Sequence, residues 1–126
     1  YAVGSATMAS ALEQIEKDME KAWDLMLQAA NKGNVNAKTS IGMAYISPPL
    51  GCPIEQDYQL AFSYLSEAAE EGYPIAQYAL GEMYKFGYGV KKNMLKRRIW
   101  CSRAVDQGFS LQQYQQYNQQ MMQLAN

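Results

Sequence analysis

The side chains able to do chemistry are few in this chain, and their spacing argues against catalysis. None of the 126 residues is histidine. That removes the usual base of serine and cysteine nucleophiles and the imidazole ligands of most transition-metal sites. Cys52 and Cys101 are the two cysteines. They stand too far apart to form a zinc pair, and two thiols allow at most one disulfide. The plain reading packs Cys101 in a helix as a small apolar side chain and leaves Cys52 incidental to a loop. Glu13, Glu16, Asp18 and Glu20 cluster near an expected helix start, where negative charge suits the dipole. They read as a solvated face rather than an acid–base pair. Gly87-Tyr88-Gly89 could cradle a phosphate, but no phosphate loop, dinucleotide fingerprint or serine elbow accompanies it. No enzyme activity, metal or cofactor is expected.

Charge offers one local anomaly. Lys91, Lys92, Lys96, Arg97, Arg98 and Arg103 hold six of the eleven basic residues in one short stretch. They form either a solvated helix face or an electrostatic docking patch for an acidic partner. Binding of nucleic acid or another polyanion through Lys91–Arg103 is the weaker alternative, because the net charge is −1. No apolar run approaches the roughly 20 residues that span a bilayer. A soluble protein, cytoplasmic or periplasmic and secreted, is expected without membrane insertion. The chain opens at Tyr1, so the origin of residues 1–7 stays open.

The elements that position these side chains repeat. Ala29-Ala30-(x)2-Gly33, Ala68-Ala69-(x)2-Gly72 and Ala104-Val105-(x)2-Gly108 are three copies of one phrase, with glycines 39 and then 36 residues apart. Self-similarity at such a period marks a stacked-repeat architecture. Asp18, Asp57 and Asn93 precede the glycines at one fixed distance and are N-cap types. Ala61, Tyr64, Leu65, Ala68 and Ala69 form an apolar helical stripe, matched by Ala22, Leu25, Met26, Ala29 and Ala30. The third copy carries Arg97, Trp100, Cys101, Ala104 and Val105 there. Each glycine then ends its helix in the left-handed C′ conformation.

A second helix follows each glycine, with Ala37, Ile41 and Tyr45 in one copy and Ala76, Leu80 and Tyr84 in the next. Gly42 and Gly81 recur inside these helices and imply close helix–helix approach rather than a break. Gly87-Tyr88-Gly89-Val90 makes a tight turn, whereas Ser47 to Ile54 is three residues longer and puts Pro53 where Gly89 stands. Residues 5–17 read as a worn half-repeat, with Met8 aligned to Met83 and Ile15 to Val90. Leu111, Tyr114, Asn118, Met121 and Ala125 form a stripe among glutamines, as expected of a capping helix.

These residues resemble the Sel1-like repeat pattern: an Ala-x3-Leu-Gly-x2-Tyr helix, a Gly-x-Gly-Val turn, then an Asp-x3-Ala-x2-Trp-Tyr-x-Lys-Ala-Ala-x2-Gly helix. The resemblance covers about residues 18–112 and is strongest over 76–108. Tetratricopeptide repeats are the nearest competitor, but they lack the Gly-x-Gly-Val connection and the longer period and rank well behind. It implies an all-α, right-handed α-solenoid of stacked helix-turn-helix units with a C-terminal capping helix. The single domain 1–126 would divide into a degenerate repeat 5–36, repeats 37–75 and 76–110, and a cap 111–126. It also implies a non-enzymatic adaptor or scaffold that binds another protein or peptide on its concave face. An immunity protein that neutralises a cognate bacterial toxin is the alternative. By analogy with related solenoids, the expected contacts are Lys38, Thr39, Gln77, Tyr78, Glu82, Gln113 and Tyr114.

Overall fold

Gly33, Gly72 and Gly108 adopt φ of 92°, 93° and 87°, so all three occupy the left-handed region at equivalent corners. The backbone closes identically each time. Gly33 N–H donates to Ala30 O and Asn34 N–H to Ala29 O; Gly72 and Tyr73 donate to Ala69 and Ala68; Gly108 and Phe109 donate to Val105 and Ala104. This is the Schellman arrangement, in which two carbonyls stranded at a helix end find donors beyond it. The recurring small pair before each glycine supplies those carbonyls.

A computed structural model describes the backbone of residues 2–125 and the side chains of residues 7–120. Its six helices are α1 (Ala2–Asn31), α2 (Val35–Ile46), α3 (Tyr58–Glu70), α4 (Pro74–Phe86), α5 (Met94–Asp106) and α6 (Leu111–Ala125), with no strand among the described residues. α2 packs between α1 and α3, and α4 packs between α3 and α5. The result is a two-layer helical solenoid, with α2 and α4 in one layer and α1, α3 and α5 in the other. Asp57 and Asn93 cap helices as the sequence leads one to expect, and Asn34 caps another. Asn34, Asp57 and Asn93 accept from backbone N–H groups of the first turns of α2, α3 and α5. Ser110 and Gln113 close a reciprocal capping box at the start of α6, at 2.9 and 3.2 Å.

Repeat-equivalent residues meet equivalent partners. Trp23 of α1 lies edge-on to Tyr45 of α2, with ring centroids 5.7 Å apart at 82°. Phe62 of α3 meets Tyr84 of α4 in the same way, 5.7 Å at 87°. Asp57 N–H donates to Tyr45 O and Asn93 N–H to Tyr84 O, tying the two helices of a unit together. Gly89, at φ 67°, lets the α4–α5 turn press against the Tyr58 carbonyl, where any Cβ would collide with backbone. Tyr88 then stacks on Tyr58 at 4.5 Å.

The N-terminal half-repeat is not folded back. α1 runs unbroken through the turn expected near Ile15, and Asp18 sits inside it, accepting from Gln14 Nε2 at 3.0 Å instead of capping. Residues 5–31 contain neither glycine nor proline and are rich in Ala, Leu, Met, Glu and Lys, so nothing interrupts the helix. Met8, Leu12 and Ile15 stay exposed along it. Of the expected C-terminal stripe, the side chains of Met121 and Ala125 lie outside the described residues.

Gly42 and Gly81 are sites of close approach. A Cβ on Gly42 would stand 2.7 Å from Leu65 Cγ, and one on Gly81 would stand 2.5 Å from Cys101 Sγ. The half-buried Cys101 thiol is pushed above its ordinary pKa by burial, opposed by the nearby Arg97 charge; burial raises Cys52 as well. Both cysteines are free. Two outcomes are expected. Gly81→Ala gains about 1 kcal/mol of helix propensity but overpacks the α4–α5 contact, which costs about 1–3 kcal/mol. A lowered urea midpoint should result, with much of the loss recovered in the Gly81→Ala/Cys101→Ala pair. Because a raised pKa leaves less thiolate at neutral pH, both thiols should react slowly with a disulfide reagent until urea unfolds the chain.

Candidate protein-docking groove

Counting ten residues on from each C′ glycine reaches Met43 on α2, Glu82 on α4 and Asn118 on α6. All three side chains line one groove of about 580 Å3 on the α2–α4 layer. Its floor is Ala79, Glu82, Met83 and Phe86 of α4. One wall is the end of α2 with the Pro48-Pro49-Leu50 turn; the other is Tyr114 and Asn118 of α6. Leu50 and Phe86 are 78% and 47% exposed at the rim, while Met83 is 1% exposed and fixes the base. The volume lies within the ~300–1,000 Å3 typical of binding pockets.

The wall exists because α6 does not stack on α5 as α4 stacks on α3. It lies instead over the first half of α4 and reaches α2. Tyr114 contacts Tyr78 at 4.7 Å and Phe109 at 6.4 Å. The Tyr117 hydroxyl lies 3.5 Å from Ser40 Oγ, two units away. Burial drives the Tyr114 phenol far above its ordinary pKa, although a hydrogen bond with Asn118 works against the shift.

Of the seven expected contacts, Glu82 and Tyr114 line this groove. Thr39, Gln77 and Tyr78 are corrected, since at 0%, 5% and 7% exposure they offer no face to a partner. Thr39 Oγ1 donates to Val35 O at 2.9 Å. Gln77 Nε2 donates to Ala69 O at 3.2 Å, and its Oε1 accepts from Gln107 Nε2 at 2.8 Å. Tyr78 packs in a small core with Ala104 and Phe109. Lys38 links α2 to α3, its Nζ 3.4 Å from Glu71 and 3.7 Å from Glu67. That pairing explains two carboxylates at the end of α3, where the dipole alone disfavours them. Gln113 is spent on its capping box and lines a shallower recess with Tyr73 and Tyr117.

The six basic residues of the expected docking patch sit in different local settings. Lys96 Nζ lies 5.5 Å from the Tyr84 ring centroid, and the Arg103 guanidinium 4.6 Å from that of Trp100. Arg97 stands where α3 has Ala61: its carbonyl sits 3.2 Å from the Gly81 Cβ position, as the Ala61 carbonyl sits 3.3 Å from that of Gly42. Its side chain is half-buried, with Nε lacking a hydrogen-bond partner. Arg98 projects about 200° around α5 from Lys96. Lys91 and Lys92 are exposed on the preceding turn. Among the described residues no His, Cys, Asp and Glu cluster could hold a metal ion, and no helix is long and apolar enough to cross a membrane.

Sequence spacing missed the groove because its second wall depends on the direction α6 takes. The signal within reach was the register position shared by Met43, Glu82 and Asn118, which differs in chemistry from unit to unit.

A family model described as Sel1 repeat matches residues 1–34, 49–73 and 74–109. Similar solved structures include two Sel1-type repeat proteins. A protective antigen of uropathogenic Escherichia coli, displaying an SLR fold, is 36% identical with a TM-score of 0.68. The match covers 74% of this chain and 19% of that one. A Sel1 repeat protein from Oxalobacter formigenes is 30% identical with a TM-score of 0.64, over 68% of this chain and 63% of that one. The chain thus spans about a fifth of the first protein and under two thirds of the second.

Proposed function

The chain belongs to the Sel1 repeat family, whose repeats are in general protein–protein interaction modules, and on that premise we propose that it is a non-enzymatic docking module holding a partner protein or peptide in the α2–α4–α6 groove. The observation that carries this reading is the groove itself: a mostly apolar floor, broken by Glu82, on closely packed helices, with large apolar side chains left in water at its rim. Exposed apolar surface gathered into a concavity marks a binding site more often than the same area scattered singly.

The floor is set before any partner arrives. Leu80 and Met83 are each 1% exposed, and Leu65 behind them is fully buried. Binding therefore orders few side chains and little backbone, and the entropic cost that weakens flexible surfaces is small. With room for only a few side chains, the groove suits one segment of a partner rather than a broad face.

The test is retention on immobilised protein. Wild-type protein should retain a partner from the lysate of its native source. Leu50→Glu and Phe86→Glu should each reduce that retention roughly tenfold or more, with helical content and Tm unchanged. Neutralising Lys91 and Arg98 should leave it intact. Retention that survives both groove substitutions and vanishes with the two cations would place the docking surface on α5 instead.

A further inference from the structure

Resting on the docking reading above, we infer that the segment held in the groove is an apolar stretch of polypeptide carrying one lysine or arginine, whose cation sits against Glu82. Among the described residues, Glu82 is the one charged side chain that lines the groove. It is half-buried on the α4 floor, between Ala79 and Met83, among apolar neighbours. No basic side chain comes within 4.0 Å of it among the described residues, where the ion pairs found are those of Lys38 with Glu67 and Glu71.

The cations that could neutralise Glu82 from within the chain are turned to other tasks. Lys85, one turn on, lies over the Phe86 ring at 5.1 Å from its centroid. Lys96 lies over Tyr84. Arg97 faces Cys101 and Tyr78, where its field opposes that of Glu82 at both groups. The carboxylate is felt across the site: it adds to the upward pKa shifts of Tyr78, Cys101 and Tyr114, in each case behind burial.

Seating an apolar segment expels water from this floor. A neutral segment would leave Glu82 desolvated and unpaired, and an acidic one would add repulsion. A lysine or arginine placed among apolar anchors replaces the lost hydration with an ion pair. Selection therefore works by exclusion as much as by attraction. Its sign is opposite to that expected of the basic stretch on α5, which would gather acidic partners. The two surfaces can thus be told apart by charge alone.

The experiment pans a display library of random linear peptides on the wild-type chain, then measures synthetic copies of the enriched peptides by fluorescence anisotropy. The expected peptides combine apolar residues with a recurrent Lys or Arg. Their Kd should weaken at least about tenfold on Glu82→Gln and on replacing the peptide cation by norleucine, and the two changes together should cost little more than either alone. Circular dichroism checks that Glu82→Gln is folded. Peptides lost on Phe86→Glu but indifferent to Glu82→Gln, or enriched in acidic residues, would overturn the charge assignment and leave groove docking intact. Peptides insensitive to Phe86→Glu, or no enrichment over bare support, would overturn the assignment and count against the groove as well.

Discussion

An aromatic ring set edge-on against a tyrosine of the next helix joins one unit of this array to the next. Trp23 meets Tyr45, and Phe62 meets Tyr84, at the same separation and nearly the same angle. Such pairs contribute about 0.5–1.5 kcal/mol beyond their buried area. Their larger effect is geometric, since each ring fixes where the following helix crosses. Within a unit, the glycines at 42 and 81 bring α3 and α5 close enough for Leu65 and Cys101 to fill the space that a Cβ would take. Stacking between units and closeness within them are therefore set by different residues.

At the C-terminal end both halves of the aromatic pair are gone. Arg98 stands where Phe62 stood, and Gln120 falls at the position of Tyr84. Tyr117 likewise replaces the glycine of the earlier units. The aromatic pair that would set α6 against α5 in the repeat geometry is therefore missing, and Tyr117 carries a ring where the earlier units have the glycine of close helix approach. α6 takes the alternative that its own tyrosines offer and lies across α4 toward Ser40. The groove follows from this departure. Its opposite wall, the Pro48-Pro49-Leu50 turn, is a departure of the same kind, where three added residues replace the compact turn seen at Gly87–Gly89.

The fold was legible in the sequence because its determinants recur. Caps, C′ glycines and close-approach glycines each appear more than once at fixed spacing, and each copy supports the others. Burial was less legible. An i, i+4, i+8 stripe through Ala76, Leu80 and Tyr84 suggests that Gln77 and Tyr78 face outward. Yet α4 touches α3, α5 and, through Tyr114, α6, so it retains little outward face. The polar character of Gln77 misleads for a related reason: its amide serves the Ala69 carbonyl and Gln107 inside the array. In α1 the alignment of Met8 and Ile15 with later units was sound as a pattern, but a pattern without glycine or proline does not turn.

Repetition and recognition place opposite demands on a register position. A position that sets unit geometry must stay constant, as the C′ glycines and Tyr45 and Tyr84 do. A position that meets a partner gains from variation, because three identical side chains in a row would offer a ligand no preferred register. Met43, Glu82 and Asn118 vary in this way, presenting a thioether, a carboxylate and an amide from equivalent points on the alternate helices α2, α4 and α6. The carboxylate occupies the middle, flanked on the floor by Ala79 and Met83, where a bound segment would exclude the most water. Filling the groove would take that charge further out of water, which is costly unless a cation pairs with it. The helix that carries this carboxylate has Leu80, Met83 and Tyr84 buried, so the variable position stands on a packed framework.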